Sequence, residues 1–178
     1  MTAYFLPMMF IVAAVEGYGL VTFGDWQPAF HQIKKLSVGE AVVFEILQAG
    51  LWMFIALACA YFVKALGETF HGKHNYRQAF TVVCHGLSPL FLFRLLDVFP
   101  HVNPWIPYAI GILLVAKALY HGVPLVMQPD PPHAFGFFLM TFILILMSTA
   151  LTRFVTAWYL MGHAPALERF ISSAASYL

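Results

Sequence analysis

Five stretches of the chain, at residues 4–23, 41–63, 79–96, 105–127 and 135–160, each carry a single charged residue: Glu16, Glu45, Arg94, Lys117 and Arg153. A hydrocarbon layer of about 30 Å is crossed by about 20 residues of helix at 1.5 Å each, and each stretch is of that order. The predicted architecture is therefore all-α: a polytopic membrane protein, a bundle of five transmembrane helices within residues 1–162, followed by a C-terminal tail or interfacial helix over residues 163–178. An odd number of crossings predicts termini on opposite sides of the membrane.

Composition removes the competing classes. Of 178 residues, 61% are hydrophobic and 10% charged, whereas a soluble domain is about a quarter charged. The remaining polar residues could not cover a globule of this size. A cleavable signal peptide is not expected, because Met1 and Thr2 lead straight into apolar residues without a basic region. Nine Lys and Arg against eight Asp and Glu give a formal net charge of +1 with no basic run, so nucleic acid is not an expected partner. Cys59 and Cys84 lie in apolar runs and read as small buried hydrophobes. Lys64, Lys73 and Arg77 on one side nearly balance Lys34, Lys35 and Arg169 on the other, so the inside-positive bias does not orient the chain. No inter-span connection is long enough to fold as a soluble domain. The proline-rich run from Gln128 to Pro132 reads as a stiff turn between the fourth and fifth spans.

Two motifs carry a resemblance. HGKHNYRQAFTVVCHGLSPL, at residues 71–90, has a Gly-containing polar loop, an aromatic, Arg with Gln-Ala, an apolar helix and Ser-Pro. ALYHGVPLVMQPDPPHAFG, at residues 118–136, has an aromatic before Gly-x-Pro, an apolar turn and a proline-bearing loop opening the last span. Both resemble the markers of Yip1-domain membrane proteins, and their order and the five spans agree with that family. The motif positions are Gly72, Lys73, Arg77, Pro89, Gly122 and Pro124. The resemblance implies a five-helix integral membrane domain with a cytoplasmic N-terminus and no established catalytic residues. Eukaryotic members act in membrane traffic and bind prenylated small GTPases. The polar extension that commonly precedes the first span in the family is not found before Tyr4.

Ionisable residues at bilayer depth are costly and are functional hypotheses by default. With the N-terminus inward, Glu16 lies about 18 Å into the first span and Lys117 about 15 Å from the inner end of the fourth, so the two are expected to pair near the midplane. That pair fixes packing or, in a transporter, lies on an ion path. Nearer the outer side, Arg94 and Asp97 at i,i+3 are expected to pair with each other, in a cluster with Glu45 and Arg153. His85 and His121 each lie about 9 Å below the inner surface, at positions where the family more often has uncharged aromatic or aliphatic residues. Facing one another, two imidazoles suit a b-type haem or another His-ligated cofactor. Otherwise each bonds a backbone carbonyl freed by Pro89 or Pro124. His71 and His74, at i,i+3, make a weak metal signal that reads as a solvated loop. His31, His101, His133 and His163 sit in loops or the tail and call for no special explanation.

The expected function is thus a non-enzymatic Yip1-like scaffold, with no metal and no cofactor expected, docking integral membrane partners and lipids within a homo- or hetero-oligomeric complex. The alternatives are an accessory subunit of a respiratory or photosynthetic complex contacting haem, pigment or quinone through His85 and His121, and a small transporter using Glu16 and Lys117.

Overall fold

The computed structural model describes residues 2–27, 32–72, 75–99, 101–161 and 163–176. Helix α1 spans Thr2–Thr22 and is followed by an antiparallel hairpin of β1 (Asp25–Gln27) and β2 (Gln32–Lys34). Then come α2 (Val38–Thr69), α3 (Tyr76–Arg94) with a 3-10 turn over Leu95–Val98, and α4 (Trp105–Met127). A second 3-10 turn, Pro131–His133, opens α5 (Ala134–Leu160), and α6 covers Pro165–Ala175. Five of these helices are long and apolar enough to cross a membrane. The hairpin is the element the sequence analysis did not anticipate, in a stretch without apolar periodicity.

Local chemistry sets the ends. Ser37 and Glu40 form a reciprocal capping box, with the Ser37 amide donating to Glu40 Oε2 at 3.0 Å and the Glu40 amide to Ser37 Oγ at 3.3 Å. This starts α2 ahead of the expected residue 41, and the helix runs on to Thr69, giving 32 residues and a length of about 48 Å, well beyond the hydrocarbon layer. Asn75 Oδ1 accepts from the Arg77 amide at 3.1 Å and caps α3. The capping asparagine and Arg77 both belong to the first family motif. Gln128, with φ 46°, closes α4 in the left-handed conformation.

The chain alternates direction and gathers its connections at two ends. At the proximal end Phe70 stacks on Phe137, centroids 5.6 Å apart, joining the α2–α3 connection to α5. At the distal end Gly24, Val102 and Met161 surround a common cavity. Helix α3 packs on α1, α2 and α4, while α1 packs on α2 and α3, and α5 on α2 and α4. Phe5, Trp52, Ala56, Val83, Leu119 and Ile145 contribute to one core running through all five spans. A smaller cluster of Leu20, Ala41, Phe44, Tyr159 and Ile171 seats α6 against the distal end of α2, in the stretch expected to be either a tail or an interfacial helix. Arg169 of α6 is exposed, as expected, and Glu168 is half-buried.

In lipid the hydrophobic effect does not draw helices together, so close packing must. The α3–α4 seam shows how close. A Cβ on Gly111 would lie 2.9 Å from Leu90 Cδ1 and 3.3 Å from its Cα, so any side chain there forces Leu90 and its backbone to give way. Gly122, by contrast, has nothing within 4 Å. Gly111→Val is therefore expected to lower unfolding stability by about 1–3 kcal/mol in a denaturing-detergent titration, and Gly122→Val by much less. Equal effects of the two would refute this seam.

Candidate functional site

Most of the charge inside the spans lies in one layer near the distal end. Glu16 lies about 9 Å from the end of α1. Its Oε2 accepts from Arg94 Nη2 at 2.5 Å and its Oε1 from Gln48 Nε2 at 3.2 Å. The Arg94 and Glu16 side chains are 7% and 10% exposed, so the pair is desolvated. Arg94 also lies 5.3 Å from the centroid of the Trp52 ring, a cation–π contact. Next to it Arg153 grips Asp97 with both terminal nitrogens, at 2.5 and 2.8 Å, and Nη2 donates to the Pro104 carbonyl at 2.6 Å. That two-pronged geometry is the strong form of an arginine–carboxylate pair. Glu45 borders the same layer and is buried; its Oε1 has no hydrogen-bond partner among the described residues.

Above this layer opens a cavity of about 500 Å³, within the size range of small-ligand pockets. Glu16, Asp97 and Arg153 form its polar floor, and Phe99, His101 and Trp105 stand around it. No Ser or Cys is among the described residues lining it. Its carboxylates are engaged with arginines, so its chemistry is that of a polar recess, with hydrogen-bonding capacity left over at His101 and Asn103.

The structure reassigns the expected pairs. Glu16 does not meet Lys117, because α3 lies between α1 and α4 and offers Arg94 first. Nor does Arg94 pair with Asp97. The helix tightens into a 3-10 turn after Arg94, and each residue finds an opposite charge on a different helix, Glu16 of α1 and Arg153 of α5. Gln48 was not singled out from the sequence, although a polar residue three positions after Glu45 in an apolar run was the available signal.

His85 and His121 are not brought together. Gly86 faces Leu119 across the α3–α4 seam. His85, the neighbouring residue on α3, is instead exposed beside the Tyr4 ring of α1, at 5.7 Å. His121 is two residues beyond Leu119, about 200° around α4, and is exposed. The His85 Nδ1 bonds the Thr81 carbonyl at 3.0 Å. That carbonyl lies one turn before His85 and is not the one Pro89 frees. Lys117 is exposed on α4, between Leu113, which is 71% exposed, and Tyr120, and among the described residues it has no ion-pair partner.

Of the motif positions, Gly72 packs on the α4–α5 connection, where its Cβ would lie 3.1 Å from the Met127 carbonyl oxygen. Arg77 is exposed in the first turn of α3. Pro89 lies inside α3, and Pro124, inside α4, accepts the Gln128 amide at 3.2 Å. Lys73 and His74 lie outside the described residues. At this proximal end His71, Asp130 and His133, all exposed, hold their ligand atoms within 4.8 Å of one another. His133 thus has a neighbour that the sequence analysis did not give it.

Removing one member of a buried ion pair strands the other. Glu16→Gln is expected to cost about 3–5 kcal/mol of unfolding free energy in detergent, while Glu16→Leu combined with Arg94→Leu restores most of it. A single substitution without measurable cost would show that the pair is not buried in this way.

Comparison with curated proteins and with solved structures found no match. The sequence profile described as the Yip1 domain matches residues 1–152, from α1 into the last third of α5. With the five spans, and with both motifs meeting at the proximal end, this establishes that the chain belongs to the Yip1-domain family of non-enzymatic membrane proteins.

Proposed function

We propose that this Yip1-domain protein is a membrane scaffold that docks another integral membrane protein along the outward face of α4. The observation that supports it is Lys117. It stands about 18 Å from the start of α4 and 15 Å from its end, near mid-depth, and it points away from the bundle. A cation held there against lipid alone costs roughly 3 kcal/mol on insertion scales, more where it cannot reach the interface. The protein pairs its intramembrane carboxylate Glu16 internally with Arg94, and leaves this cation on the surface. Around it Leu113, Leu125 and Tyr120 are 71%, 76% and 54% exposed, and His121 lies one turn further on. The partner's chemistry follows: a transmembrane helix with an apolar face and a carboxylate or unpaired carbonyl at mid-depth.

In the orientation the family implies, the proximal end with residues 70–72 and 128–133 faces the cytoplasm, and the α2–α3 connection adds a polar contact there. The distal pairs serve as internal stitching that holds α1, α3 and α5 in register. This reading makes the chain an organiser of membrane proteins.

A photo-reactive residue at Leu113 or Tyr120, activated in native membranes, is expected to give a discrete protein adduct whose mass spectrum identifies an integral membrane protein. Lys117→Glu is expected to reduce that adduct at least about fivefold, since reversing a charge at a desolvated contact costs more than 1 kcal/mol. Adducts with lipid alone, or a protein adduct indifferent to Lys117→Glu, would contradict the proposal. An adduct with a second copy of this chain would replace the heterologous partner with self-association.

A further inference from the structure

The proximal end carries chemistry that docking along α4 does not use. We infer that His71, Asp130 and His133 form a binding site for a divalent transition-metal ion of zinc's class.

The three side chains come from two connections that are distant in sequence, and each is positioned by a separate feature. Asp130 and His133 flank Pro131 and Pro132 in a 3-10 turn, closed by the His133 amide donating to the Asp130 carbonyl at 2.8 Å. Across this short turn the carboxylate and the imidazole come close to one another. The prolines fix their own φ angles, which lowers the entropy cost of holding the pair ready. The third ligand arrives with the α2–α3 connection. Phe70 stacks on Phe137, and Gly72 lies so close to Met127 and Pro129 that a Cβ there would meet backbone at 3.1 and 3.3 Å. Between these two anchors His71, with φ 54°, turns its ring to within 5.7 Å of the His133 ring centroid.

The spacing suits an ion. Ligand atoms on a tetrahedral centre with bonds of about 2.1 Å are about 3.4 Å apart. Here they lie within 4.8 Å of one another, a gap that rotation of exposed side chains closes without moving the backbone. Two imidazole nitrogens and one carboxylate oxygen favour borderline ions such as zinc over calcium or magnesium, which prefer all-oxygen shells. Three protein ligands leave a coordination position open to water or to a donor from a cytoplasmic segment. The ion would clamp the α2–α3 connection to the α4–α5 connection, tying both family motifs at one point.

The test uses the full-length chain in detergent, purified through a tag without histidine, stripped with chelator and titrated with Zn²⁺ against a chromophoric competitor. The expected result is one ion per chain. His71→Ala, His133→Ala and Asp130→Asn are each expected to weaken binding by at least about tenfold, the loss that even outer partners of metal ligands cause. Co²⁺ in place of Zn²⁺ is expected to give the intense visible bands of a four-coordinate site. Should the histidine variants fail to fold, near-isosteric Asp130→Asn decides: unchanged affinity there overturns the site. No binding at a tenfold excess of Zn²⁺ would overturn it too, as would binding that survives the substitutions at His71 and His133. The α4 docking face is read by a separate assay, so either result leaves the other standing.

Discussion

Hydrocarbon offers no hydrogen bonds, and the arrangement of this protein follows from that. Every charged group that enters a span must be answered by another group of the same chain, reach the interface or wait for a partner. Glu16 and Asp97 are answered by Arg94 and Arg153. Those two pairs tie α1, α3 and α5 together at one level, with Gln48 and Trp52 of α2 completing the shell around Glu16 and Arg94. Because a stranded buried charge is far more costly than a lost apolar contact, this layer constrains how the helices can slide or rotate. The close α3–α4 seam at Gly86 and Gly111 then sets the distance of the fourth helix.

Lys117 differs from these pairs: it has no ion-pair partner among the described residues, and it faces outward. The two ends of the bundle differ in kind. The distal end holds a recess whose floor is neutralised by its own salt bridges and where Arg153 also bonds the Pro104 carbonyl. The proximal end holds a folded pair of connections that brings exposed imidazoles and a carboxylate together.

Much of the fold was legible because lipid demands long apolar runs and punishes ambiguity. The fourth span, expected at 105–127, is α4 at Trp105–Met127, bounded by Pro104 on one side and Gln128–Pro129 on the other. The second helix extends past the stretch expected at 41–63, because hydropathy marks where lipid ends and a capping box with helix-forming residues carries α2 beyond it. Pairing was not legible. From the sequence Glu16 is expected to meet Lys117 and Arg94 to meet Asp97, and only the placement of α3 between α1 and α4 brings Arg94 to Glu16 instead. Likewise, Asp-Pro-Pro-His announces a stiff turn. That His71 lies across from it depends on how Phe70 and Gly72 dock, which no local pattern encodes.

The most direct test of the account asks whether hydrocarbon separates the two ends. In a chain with Cys59 and Cys84 replaced by alanine, single cysteines at Asn103, between α3 and α4, and at Gln128, between α4 and α5, are exposed to a membrane-impermeant thiol reagent in vesicles of defined orientation. The account predicts labelling from opposite sides, one site reactive from outside the vesicle and the other only after permeabilisation. Labelling of both sites from one side would contradict it.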